Sequence, residues 1–107
     1  MKMLKDYSVV TDASLIDGTF LQGYVITSYQ NLVDLFGEPA LQFDPAKTRA
    51  NWVVQFEDGV VATVYDYKVQ DKPVEEVTEW NVGGKSHVGH DRMMELVYGE
   101  VFDDSGL

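Results

Sequence analysis

The residues best suited to chemistry lie in the last third of the chain. Gly83-Gly84-Lys85-Ser86 follows an apolar-alternating run and precedes a helical pattern. Glycines in that position let successive backbone N–H groups converge, and a helix N-terminus adds positive potential. Lys85 and the Ser86 hydroxyl would complete a small anion site. The spacing of a Walker loop is absent, so the same four residues also read as a tight turn with Ser86 as N-cap. Upstream, Tyr65, Asp66, Tyr67 and Lys68 place aromatics beside an acid and a cation, a set able to stack on a ring and bond its edge. With Trp80, these residues define a candidate ligand-binding site: Tyr65, Tyr67, Lys68, Trp80, Gly83, Gly84, Lys85 and Ser86. On this reading, a bulky residue at Gly84 would abolish binding and leave the melting temperature unchanged.

Three further sets compete. His87, His90 and Asp91 fall at i, i+3 and i+4, a spacing that brings side chains to one helix face and would suit a divalent metal. His90 also continues an apolar stripe, which favours a partly buried histidine, and no metal is expected. Asp71, Glu75, Glu76 and Glu79 form an acidic stretch that reads as a solvated face or as a contact surface for a basic protein. No nucleophile, base and orienting group stand in recognisable order, so a non-enzymatic protein without cofactors is expected.

Composition sets the limits on these readings. The chain has 107 residues, 45% of them hydrophobic and 12% aromatic, which suits one packed domain. We expect that domain over residues 1–102, with 103–107 as an acidic tail. Eight Lys and Arg against 18 Asp and Glu give a net charge of −10. Such a surface disfavours nucleic acid as a ligand, because affinity there rests on cations meeting phosphates. It permits the opposite relation, imitation of DNA in the basic groove of another protein. Cysteine is absent, so there is neither a disulfide nor a thiolate site. No apolar run of membrane-spanning length occurs, and the N-terminus lacks a signal-peptide pattern.

The elements that must position these groups are legible from periodicity. Tyr7–Val10 and the stretch Leu15–Ile26 read as strands, with Asp17-Gly18 as a hairpin turn. Thr27 and Gln30 match a capping box, and Tyr29, Leu32, Val33 and Phe36 form one stripe, with Gly37 as its stop. A loop follows, with Leu41 and Phe43 as a brief strand. Around Asp58-Gly59 lies the strongest hairpin signal. A two-residue turn there would set Glu57 against Val60 and Trp52 against Tyr65. Trp52, Val54, Phe56, Val61, Thr63 and Tyr65 would then share one face. A further strand spans Val77–Val82. His90, Met93, Met94 and Val97 mark a last helix ending at Gly99. The fold expected is α+β: an antiparallel sheet of about five strands with two short helices on one face. Its edge strands make a homo-oligomer possible.

Three segments, YQNLVDLFGEP (29–39), NWVVQFEDGVVATVYDYK (51–68) and TEWNVGG (78–84), resemble in order and spacing a family of small accessory proteins of tailed phages. The resemblance covers a little over half the chain and carries no functional residue across. It implies action in the cytoplasm of the infected bacterium, against a host defence or another host process. The resulting expectation is a counter-defence protein that captures a small anionic or nucleotide-like ligand. The alternatives are an acidic inhibitor of a host protein and a virion or assembly component.

Overall fold

The computed structural model describes residues 6–10, 15, 17–39, 50–66 and 72–99. Five strands form one antiparallel sheet: β1 (Tyr7–Val10), β2 (Phe20–Ile26), β3 (Asn51–Phe56), β4 (Val61–Tyr65) and β5 (Glu79–Gly84). Two helices, α1 (Tyr29–Phe36) and α2 (His87–Tyr98), pack on the sheet, as an α+β fold requires. The strand order is β1-β3-β4-β5-β2. The proposed strand at 41–43, Tyr67, Lys68, Asp71 and the tail at 103–107 lie outside the described residues.

The central hairpin differs from the expected register by one residue. Gln55 faces Val61 and Trp52 faces Val64. The Phe56 N–H donates to Val60 O at 2.8 Å, and Gly59 N–H donates to Phe56 O at 2.9 Å. Glu57-Asp58-Gly59 is therefore a three-residue loop with Gly59 at φ 87°, the turn-plus-bulge alternative to a two-residue turn. A shift of one residue turns one strand over relative to its partner. Trp52, Val54 and Phe56 consequently share their face with Ala62 and Val64, while Val61, Thr63 and Tyr65 lie on the other side.

The helix-facing core joins those residues to Val25, Trp80, Val82, Leu32, Phe36, Met93 and Leu96, all buried. The stripe on α1 is as expected, with Tyr29 and Val33 partly buried against the core. The cap of α1 moves by one residue. Thr27 N–H donates to Thr78 O at 2.9 Å, prolonging the β2–β5 ladder, and the Ser28 hydroxyl accepts from Asn31 N–H at 3.0 Å. Gln30 instead donates to Asp34 at 2.9 Å. Gly37 at φ 83° and Gly99 at φ 70° end the two helices where expected.

The largest departure concerns β1 and β2. Asp17-Gly18 does form a turn, with Gly18 at φ 80°, but it does not join neighbouring strands. β1 pairs with β3 at one edge of the sheet, and β2 pairs with β5 at the other. A turn signal reports local backbone geometry only; tertiary pairing decides which strands become neighbours.

Candidate functional site

The register of β4 and β5 separates the groups proposed to bind a ligand. Tyr65 pairs with Asn81 across the β4–β5 ladder, on the face away from the helices. Trp80, one residue earlier, points to the helix face and is fully buried. Its indole N–H donates to Thr27 O at 3.1 Å. Trp80 is thus part of the framework, and it does not converge with Tyr65.

Gly83 and Gly84 end β5 and do not form a loop, so the strand runs two residues past the expected Val82. They sit between β4 and β2, opposite Thr63 and Ala62 on one side and Leu21 and Phe20 on the other. A Cβ at Gly83 would lie 2.6 Å from the Thr63 hydroxyl, and one at Gly84 would lie 3.1 Å from Ser86 O. Close backbone approach within a central strand accounts for both glycines. Gly84 O accepts from the Gln22 side chain at 3.0 Å, beside the irregularity between Leu21 and Gly23. Lys85 and Ser86 are exposed, and Ser86 caps α2 by accepting from Val88 N–H at 3.3 Å.

The other sets are also divided. His90 turns to β2, whereas His87 and Asp91 form a loose, exposed pair at 4.0 Å. Among the described residues no three His, Cys, Asp or Glu side chains gather for a metal. Glu75 and Glu76 lie on a 3-10 turn (Val74–Glu76) that contacts α1. Burial pushes the Tyr29 phenol pKa up, and the carboxylates of Glu38 and Glu75 raise it further. Glu79 opens β5 opposite Ile26, on the face away from α1. Asp66 is buried, and its carboxylate accepts from Ala50 N–H at 3.0 Å, closing the open end of the hairpin. A cavity of about 150 Å³ lies beside Asp6, Ser8 and Glu57, below the size typical of small-molecule sites.

What sequence reasoning offered only as an apolar face of the N-terminal strands, open to a second copy, is on β2. Phe20, Leu21, Tyr24 and Ile26 expose 72%, 51%, 50% and 57% of their surfaces. Tyr24 and Ile26 pair with Asn81 and Glu79 and project from the helix-free face; Leu21, opposite Gly83, joins them. The clue was apolar residues at both strand parities, a pattern that needs cover on both faces. The expected hairpin turned Thr19–Leu21 back on Leu15-Ile16; in the sheet β2 is an edge strand with α2 on one face.

Two outward-facing backbone groups of that edge are nonetheless taken. The Thr27–Thr78 bond fixes the alternation, so Val25 bonds towards β5 while Tyr24 and Ile26 turn their backbone groups outward. His90 Nε2 lies 3.0 Å from Tyr24 O. A carbonyl only accepts, so Nε2 carries the proton. Ile26 N–H donates to the Tyr98 hydroxyl at 3.0 Å. Two side chains of one helix, eight residues apart, thus occupy outward-facing groups of the edge strand.

Among the described residues no helix is long and apolar enough to cross a membrane. No family model, curated protein or solved structure matches the chain.

Proposed function

We propose that this chain is a non-enzymatic binding protein whose working surface is β2 and whose partner is a protein. The observation that carries this reading is the exposure of Phe20, Leu21, Tyr24 and Ile26 within seven residues of one edge strand. Tyr98, another exposed large apolar residue, adjoins them through its bond to Ile26. Contiguous exposed apolar side chains rimmed by polar surface are what a protein interface offers before it is occupied. A protein partner ranks ahead of small-ligand capture because Tyr65 and Trp80 occupy opposite faces of the sheet. The resemblance to tailed-phage accessory proteins supplies the setting: a host protein as target, in the cytoplasm of the infected cell, with interference as the outcome.

Site-specific photo-crosslinking in infected cells tests this. A benzoylphenylalanine at Tyr24 or Ile26 is expected to trap one host protein, and the same probe at the exposed Asp34 of α1 is not. Equal trapping at all three positions would overturn the reading. So would a native mass spectrum showing a bound small molecule that is lost in Lys85→Glu, or recovery of the chain in purified particles.

A further inference from the structure

We infer that β2 takes a cationic, apolar polypeptide surface by side-chain contact on its helix-free face, and that His90 and Tyr98 bar strand addition at its edge. The inference rests on the reading of β2 as the binding surface and adds its mode and partner chemistry.

The mode follows from the backbone. An incoming strand gains its affinity from unpaired main-chain groups at a sheet edge. Here Tyr24 O is bonded by His90 and Ile26 N–H by Tyr98. Strand addition would have to break both bonds and move α2 side chains aside. The His90 ring also fills the space over Gly23, where a Cβ would lie 2.5 Å from its Cε1. The side chains of Leu21, Tyr24 and Ile26 remain available, and they stand on the face that neither helix covers.

The chemistry follows from charge. Phe20–Ile26 contains no charged residue, and the exposed Glu79 carboxylate stands directly across the ladder from Ile26. The chain as a whole carries −10. An apolar side chain seated between Tyr24 and Ile26, with Lys or Arg reaching Glu79, matches both features. A second copy of this chain offers apolar side chains but would bring another −10 to the contact, so it matches only the first feature.

Amide-resolved NMR titration of the full chain tests this with two probes: a peptide alternating leucine with lysine, and its leucine–glutamate counterpart. The lysine peptide is expected to shift Leu21, Tyr24, Ile26 and Glu79, with Ile26 N–H keeping its bond to Tyr98 and an unchanged exchange rate. Glu79→Lys should weaken it about tenfold, Ile26→Ser should weaken it comparably, and the glutamate peptide should leave the spectrum unchanged. Ile26 is exposed, so Ile26→Ser leaves the core intact, and dispersed methyl signals will confirm this. If Ile26 N–H exchanges its bond to Tyr98 for one to the peptide, strand addition is the mode and the inference fails while β2 remains the binding surface. Shifts centred away from β2, or equal binding of both peptides, overturn the inference; trapping at Tyr24 and Ile26 in cells decides separately whether β2 binds a protein.

Discussion

Trp52 and Trp80 meet edge to face, with ring centroids 5.7 Å apart, and their indole N–H groups hold opposite ends of α1. Trp80 donates to Thr27 O just before the helix, at 3.1 Å, and Trp52 donates to Gly37 O just after it, at 2.8 Å. Tyr29 lies against both rings, at 6.0 and 6.3 Å. An eight-residue helix is too short to be stable alone, so this clamp and the apolar stripe must hold it. Replacing either Trp with Phe keeps most of the apolar contact and strands a carbonyl. The expected cost is about 1–3 kcal/mol. Urea unfolding will measure it, with amide exchange accelerating in α1 before it does in β3 and β4.

The tip of the central hairpin is tied down by α2. Arg92 donates to both carboxylate oxygens of Asp58, at 3.1 and 2.7 Å, and its guanidinium lies 5.6 Å from the Phe56 ring centroid. That hydrogen bonding lowers the Asp58 pKa to about 2, against the smaller opposing effect of desolvation. In the unfolded chain the same carboxyl titrates near ~3.9. The unfolded state therefore takes up the proton first as pH falls. The stabilisation is full above about pH 4 and is lost as pH drops through 2. Asp58→Asn should be less stable than wild type at pH 7, with the gap closing between pH 4 and pH 2. Thermal melts across that range will show it; a constant gap would mean the pair contributes through packing alone.

The fold was legible where local chemistry and tertiary packing agree. The α1 stripe, its Gly37 stop, the Ser86 cap and the Gly99 terminus each rest on backbone geometry that neighbouring residues dictate. Four features were not legible, each for its own reason. Asp-Gly suits more than one hairpin loop, and Gly59 serves as the left-handed residue of a three-residue one, which turned β4 over. Thr27 could cap α1 or extend β2, and the ladder to Thr78 took it. The candidate ligand residues were expected to meet where β4 leads toward β5, but strand alternation puts Trp80 and Tyr65 on opposite faces. The exposed set on β2 required knowing the order of strands in the sheet, and no local pattern states that order.

Gly23 and His90 are matched in size. All three nearest atoms to a Cβ at Gly23 belong to the His90 ring, at 2.5, 2.6 and 2.8 Å. Gly23→Ala must displace that ring and break its bond to Tyr24 O. The expected cost is about 1–3 kcal/mol, as for other overpacked sites. In Gly23→Ala/His90→Ala the methyl enters vacated space, so the double variant should be more stable than the sum of the single effects predicts. Additive effects in a chemical-denaturation cycle would show that the ring moves aside at no cost.

Gly84 carries a prediction opposite to the one its sequence context suggests. A bulky residue there would crowd Ser86 O at 3.1 Å and Val61 O at 3.5 Å, both backbone atoms that cannot step aside. Gly84→Val should therefore lower the melting temperature. Lys85→Glu, at an exposed position, should change stability by no more than about 0.5 kcal/mol. Calorimetry of the two variants will separate a strand glycine from one kept for a ligand.

The exposed residues of β2 should be dispensable for folding and required for binding. Leu21, Tyr24 and Ile26 leave 51%, 50% and 57% of their surfaces exposed, so replacing each forfeits only about half of a full burial contribution. The backbone bonds at Tyr24 and Ile26 use main-chain atoms and survive a change of side chain. A Leu21→Ser/Tyr24→Ser/Ile26→Ser variant should therefore stay folded, with a stability loss of about 2–4 kcal/mol from the half-buried apolar surface and weaker strand propensity. The same variant should bind less of a hydrophobic dye and lose the photo-crosslink to its partner, here read out from a probe at Asn81, which faces Tyr24 across the ladder and which the substitutions spare. A larger drop in stability would instead assign these side chains to the fold, and an undiminished crosslink would move the working surface elsewhere.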